Sequence, residues 1–355
     1  MPELRAQQWG ALCVWRECDR PEIFNARLAP FTILKPYFGA IVWQTGVMSI
    51  LGVRERIRAP IREALDNAAT AFLAGEGEPR IDFSKPQGEA ALTDPDSVSW
   101  RIFKNPVALF VGGITAVILE LAEPRIRTGV WEHTTFRTNP IARLRRTGLA
   151  AMVTVYGARS VSETMIAGVG RMHARVGGVT PSGEPYRAND PELMNWVHAT
   201  ASFGFMEAYH AYVGPLTSDE RDRYFSEGQA AARLYGATGA PRSRADWNAL
   251  YEQMKPLFER SDIIFEFLSI MRAAPALPGP VRLTQGTLIR AAIDLVPAEV
   301  RDILGLDASY GLRPFEKLLV RRMGKRADRW PLPSSPAAQA CVRMGRPADY
   351  LYRRQ

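Results

Sequence analysis

The chain has 355 residues, 46% of them hydrophobic and 23% charged, with a net charge of +8. That is enough apolar material for one large core with extensions, so a globular enzyme outside the membrane is the default expectation. The positive charge comes from scattered arginines and never gathers into a long run, which excludes a nucleic-acid arm and favours small anionic partners or an acidic membrane surface.

In chain order, the N-terminal MPELRAQQWG has no apolar core segment and does not read as a secretory signal. Cys13, Cys18 and Cys341 are too few and too scattered for a disulfide framework or a zinc site, and they fit a reducing cytoplasm. Tyr37 to Val53 (YFGAIVWQTGVMSILGV) is uncharged but slightly short for a membrane span, and it holds Gln44, Thr45, Ser49 and three glycines. A buried or membrane-surface helix is the expectation there.

Three helix starts are written alike: Asn105-Pro106, Asn139-Pro140 and Asp190-Pro191 each put a capping side chain before a proline at the first helical position. They predict helices over 106–122, 140–157 and 191–213, with another over 160–176. Thr217 followed by acids opens a helix running to about 235, and later helices are expected near 244–258, 259–273, 283–295 and 311–323. Gly177 to Tyr186, rich in glycine and proline, is the one hairpin-like signal. Segments near 75–97 and 326–340 read as boundaries, giving an N-terminal helical extension (1–94), a central unit (95–325) and a basic C-terminal tail (326–355).

The four histidines carry the sharpest chemical signal. On a helical wheel, Met165, Ile166, Val169, Met172 and Val176 share the side of His173, with Arg171 and Arg175 opposite. His198 shares its side with Met194, Ala201, Ser202, Phe205, Tyr209 and Tyr212. Both imidazoles point inward, as hydrogen-bonded core residues or as metal ligands. His210 falls nearer an acidic face and reads as a surface residue, and the conformation around His133 is left open.

Arg143, Arg146 and Thr147 form one helix stripe that suits a carboxylate, or else a solvated basic face. Gly112-Gly113 interrupts an apolar helix at a cost of about 1 kcal/mol each, which close approach of a flat ligand, packing of a second helix (the commoner cause) or a kink would explain. Glu120 and Glu123, just before Pro124, could serve as acid/base groups or cap a helix junction. P-loop, GxGxxG, GxSxG and HExxH motifs are all lacking, and Cys341 sits in AAQACVRMG without the glycine-rich surroundings expected of a thiolate haem ligand.

Four ordered blocks, DSVSWRIFKNPVALFVGGITAVILELAEP, GVWEHTTFRTNPIARLRRTG, VGRMHARVGGVTPSGEPYRANDPELMNWVHAT and LTSDERDRYFSEG, resemble the bacterial domain grouped with rubber oxygenase (latex clearing protein) and the fungal oxygenase MpaB, which cleaves a farnesyl chain. The resemblance spans about 95–325. It implies an all-α, multi-helix haem-binding bundle with a globin-like core, a b-type haem on histidine, and oxygen chemistry able to cleave carbon–carbon double bonds.

Residue by residue, His173 in RMHA is then the iron ligand, and His198 in WVHAT is the alternative ligand or a supporting group. Arg143, Arg146 and Thr147 lie beside the haem, while Gly112 and Gly113 line the distal pocket. Two departures stand out: an arginine at 146 where rubber oxygenases can carry lysine, and LAEP where many relatives read LAHP. The second makes Glu123 or Glu132 the candidate polar group. The implied partners are O2 and a small apolar, unsaturated, isoprenoid- or lipid-like substrate. The alternative is a haem- or lipid-binding helical protein without turnover, docked on a membrane through 37–53 and the basic tail.

Overall fold

The computed structural model describes Asp66 and residues 81–353, which belong to one compact unit. Tyr37 to Val53, Cys13 and Cys18 lie outside the described residues. Among these residues the architecture is helical with one two-stranded hairpin. The helices are α1 (Val98–Phe103), α2 (Pro106–Ala122), α3 (Pro124–His133), α4 (Pro140–Tyr156) and α5 (Arg159–His173). After the hairpin, β1 (Gly177–Val179) and β2 (Pro185–Arg187), come α6 (Pro191–Tyr212), α7 (Ser218–Glu227), α8 (Gln229–Tyr235) and α9 (Arg244–Met254). The chain continues through α10 (Asp262–Ala273), α11 (Gln285–Leu295), α12 (Ala298–Leu304), α13 (Glu316–Ala327) and α14 (Pro336–Arg343).

The predicted starts are built as read. The Asn105 side chain accepts from the Val107 and Ala108 amides, Asn139 from Ala142 and Asp190 from Glu192, and Thr217 with Glu220 closes a reciprocal capping box. Three boundaries differ from expectation. The helix expected from Thr217 to about 235 breaks at Gly228, α13 starts only at Glu316 because Phe315 takes a left-handed φ of 70°, and α3 begins directly after α2 because Glu123 caps it. The expected hairpin is present, with Gly178 opposite Tyr186.

The centre is the antiparallel pair α2 and α6, held at backbone distance by two glycines. A Cβ on Gly112 would lie 2.6 Å from the Gly204 carbonyl, and one on Gly204 would run into the Gly112 carbonyl. Farther along, the buried Trp196 indole donates to the Leu119 carbonyl at 3.2 Å. α11 closes another side of α2, where the Thr115 hydroxyl reaches the Ala292 carbonyl at 3.0 Å. Among the described residues no single helix is long and apolar enough to cross a membrane; α2 and α3 reach that length only jointly and are bent by 110°.

Residues 326–355, expected as a basic tail, contain α14, whose Ala337, Ala338, Ala340 and Cys341 are buried. Arg343 is fully buried as well, donating to the Phe83 and Glu89 carbonyls at 2.7 and 2.8 Å. Arg343 thus belongs to an internal joint, whereas Arg326, Arg329, Arg346 and Arg353 are exposed.

Candidate active site

Most of α2 is buried, but Phe110, Gly113, Val117 and Glu120 keep accessible surface, and their spacing puts them on one stripe. α6 shows the same pattern at His198, Ala201, Ser202 and Phe205. The two stripes lie on the same side of the α2–α6 seam, because the Phe205 ring is what a Cβ on Gly113 would touch, at 3.8 Å. Facing them, α4 and α5 pack on each other, and α4 is half-buried along most of its first three turns. Glu120, Arg143, His173 and His198 are each surrounded by protein yet retain accessible surface. These side chains border the candidate site.

The electrostatics tie three of them together. Burial pushes the Glu120 carboxyl up to about 7, opposed by the Arg143 charge and by the Thr200 hydroxyl, which donates to it at 3.4 Å. Burial also lowers the Arg143 pKa, which Glu120 offsets and Arg146 reinforces. His173 is lowered by burial and then by Arg143, so one guanidinium acts on both the acid and the imidazole. His198 drops to about 4 through burial alone. Both imidazoles are therefore neutral near pH 7, with a lone pair free for a metal.

The four histidines divide by their partners. His133, at the end of α3, is hydrogen-bonded to the Tyr186 hydroxyl at 3.1 Å, and His210 accepts the Leu216 amide at 2.9 Å and meets Arg221 at 2.7 Å. Among the described residues His173 and His198 have no hydrogen-bond partner, and the His198 Nε2 lies where a Cβ on Gly228 would be 3.2 Å away. An enclosed neutral imidazole without a protein partner has its ring nitrogens available to a ligand or to water. Arg146 donates to the Thr135 hydroxyl at 2.9 Å, and Arg143 donates to Thr147, whose own hydroxyl returns to the Arg143 carbonyl at 2.9 Å.

Arg143 thus links Glu120, His173 and Arg146 electrostatically, while His198 and Gly113 lie on the partly accessible stripes of α6 and α2 and Thr147 is exposed. Three expected residues are placed elsewhere. Gly112 faces the backbone of α6, so helix packing accounts for its small size. Glu123 is fully engaged as the cap of α3, accepting the Ile126 amide at 2.8 Å and pairing with Arg125 at 2.5 Å. Glu132 is exposed on the last turn of α3. The carboxylate coupled to Arg143 is Glu120, which falls on the stripe begun by Gly113 at i+4 and i+7; that spacing was the available signal for its direction.

Fold and site together define a helical protein in which neutral imidazoles, an arginine and an acid with a raised pKa lie, partly accessible, on neighbouring helices. Residues 100–328 match the family described as ER-bound oxygenase mpaB/B'/rubber oxygenase, catalytic domain, and the chain belongs to that family. Neither the curated proteins nor the solved structures gave a match.

Proposed function

We propose that this chain is a haem-b-dependent oxygenase acting on a small apolar, unsaturated substrate of isoprenoid or lipid-like character. The observation that carries the reading is His173, a neutral imidazole without a protein partner, facing the same space as Arg143 and Glu120 in a chain of the rubber oxygenase and mpaB family. Among the described residues no three of His, Cys, Asp and Glu converge on one point. A porphyrin, which brings four nitrogens of its own, asks the protein for one or two imidazoles, and the cavity offers two.

In this reading His173 holds the iron and His198 orients a neighbouring group or takes the ligand role itself. Arg143 and Arg146 suit the propionate carboxylates, which a planar guanidinium binds bidentately. When bound, haem iron would supply oxygen activation and, with it, oxidation of a carbon–carbon double bond. Glu120, with a pKa of about 7, can hold or release a proton at its Oε1 near neutrality, and the Thr200 hydroxyl fixes that oxygen. Phe110, Val117 and Phe205 keep water from the apolar side of the cavity. A globin-like core around the cofactor and a reducing, cytoplasmic setting with O2 as co-substrate belong to the same proposal.

The test is a visible spectrum of the purified chain after haem-supplemented expression, for wild type, His173→Ala and His198→Ala. A Soret band in the wild type that is shifted or lost in His173→Ala is expected, together with oxidation of an unsaturated test substrate. A wild type without a Soret band sinks the proposal. Loss in His198→Ala with retention in His173→Ala moves the ligand to α6.

A further inference from the structure

Large apolar side chains gather in solvent at one end of the molecule. Leu283 is 89% exposed in the short 3-10 turn Gly279–Thr284 before α11, and Phe315 is 87% exposed just before α13, followed by Leu318 at 50% and Leu319 at 43%. The two groups are neighbours, because the Glu316 carboxylate accepts from the Thr287 hydroxyl at 3.3 Å and from Arg290 Nε at 2.9 Å, and Thr287 lies one helical turn beyond Leu283. Phe315 is also the only non-glycine residue with positive φ among the described residues, a conformation uncommon for a bulky side chain.

The charge around this apolar tip is predominantly positive. Arg322 follows Leu318 by four residues and Arg326 by eight, on the same outward stripe, with Lys317, Arg321 and Lys325 beside them and Arg282 and Arg313 at the tip. Among the described residues Lys317, Arg322, Lys325 and Arg326 form no ion pair; of the nearby acids, Glu316 is neutralised by Arg290 and Asp294 accepts the Leu312 amide at 3.2 Å. The opposite side of α13 is fixed inward by the buried Val320 and by Gly324, where a Cβ would lie 2.5 Å from the Tyr212 carbonyl.

We infer that the Leu283–Phe315–Leu318 tip and the Arg322–Arg326 stripe form a docking surface for an anionic lipid bilayer. The leucines and the phenylalanine enter the acyl boundary and the arginines meet the headgroups. Apolar tips alone would fit many partners; a tip backed by unpaired cations along one helix face is what an acidic membrane surface complements. This surface is separate from the cavity, and its test needs no turnover.

The full chain is to be floated with phosphatidylcholine vesicles and with vesicles of phosphatidylcholine and phosphatidylserine at two to one. Expected are binding to the anionic vesicles alone, release by added salt, and at least about tenfold weaker partitioning for both Leu283→Ser/Phe315→Ser/Leu318→Ser and Arg322→Glu/Arg326→Glu. These positions are exposed, so circular dichroism should not change, and Leu257→Ser, at a separate exposed site, should bind like the wild type. The inference is overturned if the wild type does not float with the anionic vesicles, if both patch variants bind unchanged, or if Leu257→Ser weakens binding equally. Scattering-detected chromatography that shows the patch variants breaking an oligomer would give this face to a second copy of the chain instead.

Discussion

At the scale of single residues, a carboxyl enclosed beside the α2–α6 seam makes the stability of the protein depend on pH. Free glutamate titrates near 4.5, and Glu120 in the fold titrates at about 7, so the folded chain binds a proton that the unfolded chain releases across that window. Stability from this group is therefore complete below 4.5 and is lost as pH rises to 7. The full shift would correspond to about 3 kcal/mol, and because the side chain retains accessible surface about 2 kcal/mol is the expected size. Glu120→Gln keeps an acceptor for Thr200 and removes the titration. Its melting temperature should match the wild type near pH 5 and exceed it near pH 8; equal melting at both would show that Glu120 stays ionised throughout. His173 and His198 could be read on helical wheels because direction follows from spacing. That they face open space could not, since a wheel says where a side chain points and not what it meets.

Among elements, the glycine pair in α2 resolves into two different tasks, and substitution separates them. Gly112→Ala forces a Cβ to within 2.6 Å of α6 backbone, which cannot swing aside, so a loss of about 2–3 kcal/mol is expected from urea unfolding. Gly113→Ala meets only the Phe205 ring at 3.8 Å, and the better helix former should leave stability unchanged or raise it by about 1 kcal/mol. If haem occupies the cavity, the same change narrows it and weakens haem retention. The asparagine and aspartate starts before proline were legible because capping is local: donor, acceptor and proline lie within four residues. Glu123 was legible as an acid/base group or as the cap of a helix junction, and the structure takes the second, the side chain accepting the Ile126 amide just after Pro124. Glu120 was legible as a candidate acid/base group, but α2 is apolar on nearly every side, so only its spacing from Gly113 marked its direction.

For the whole molecule, the joint that binds the C-terminal segment to the cavity helices rests on one buried ion pair that no local pattern announces. Lys104 is buried and donates from Nζ to the Asp328 carbonyl at 3.0 Å and to the Leu351 carbonyl at 3.1 Å, while pairing with the Asp328 carboxylate at 3.4 Å. Burial lowers its pKa and Asp328 opposes that, so the charge is retained because the partner is there. The same carboxylate accepts from Asn105 at 3.2 Å, and Asn105 caps α2, the helix that carries Gly113 and Glu120. Asp328→Ala leaves a buried ammonium without its counter-charge and should cost about 3–5 kcal/mol, measured as a lower urea midpoint. Lys104→Met/Asp328→Leu removes both charges and should be clearly less destabilised than Asp328→Ala alone, because most of the damage comes from the uncompensated charge and not from the lost attraction. If the double variant falls as far as the single one, the joint is held by the carbonyl and amide contacts rather than by the ion pair. In that case the cap on α2, and with it the position of the cavity stripe, would depend on the Asn105 side chain and on its second bond, to the Gly324 carbonyl at 3.0 Å.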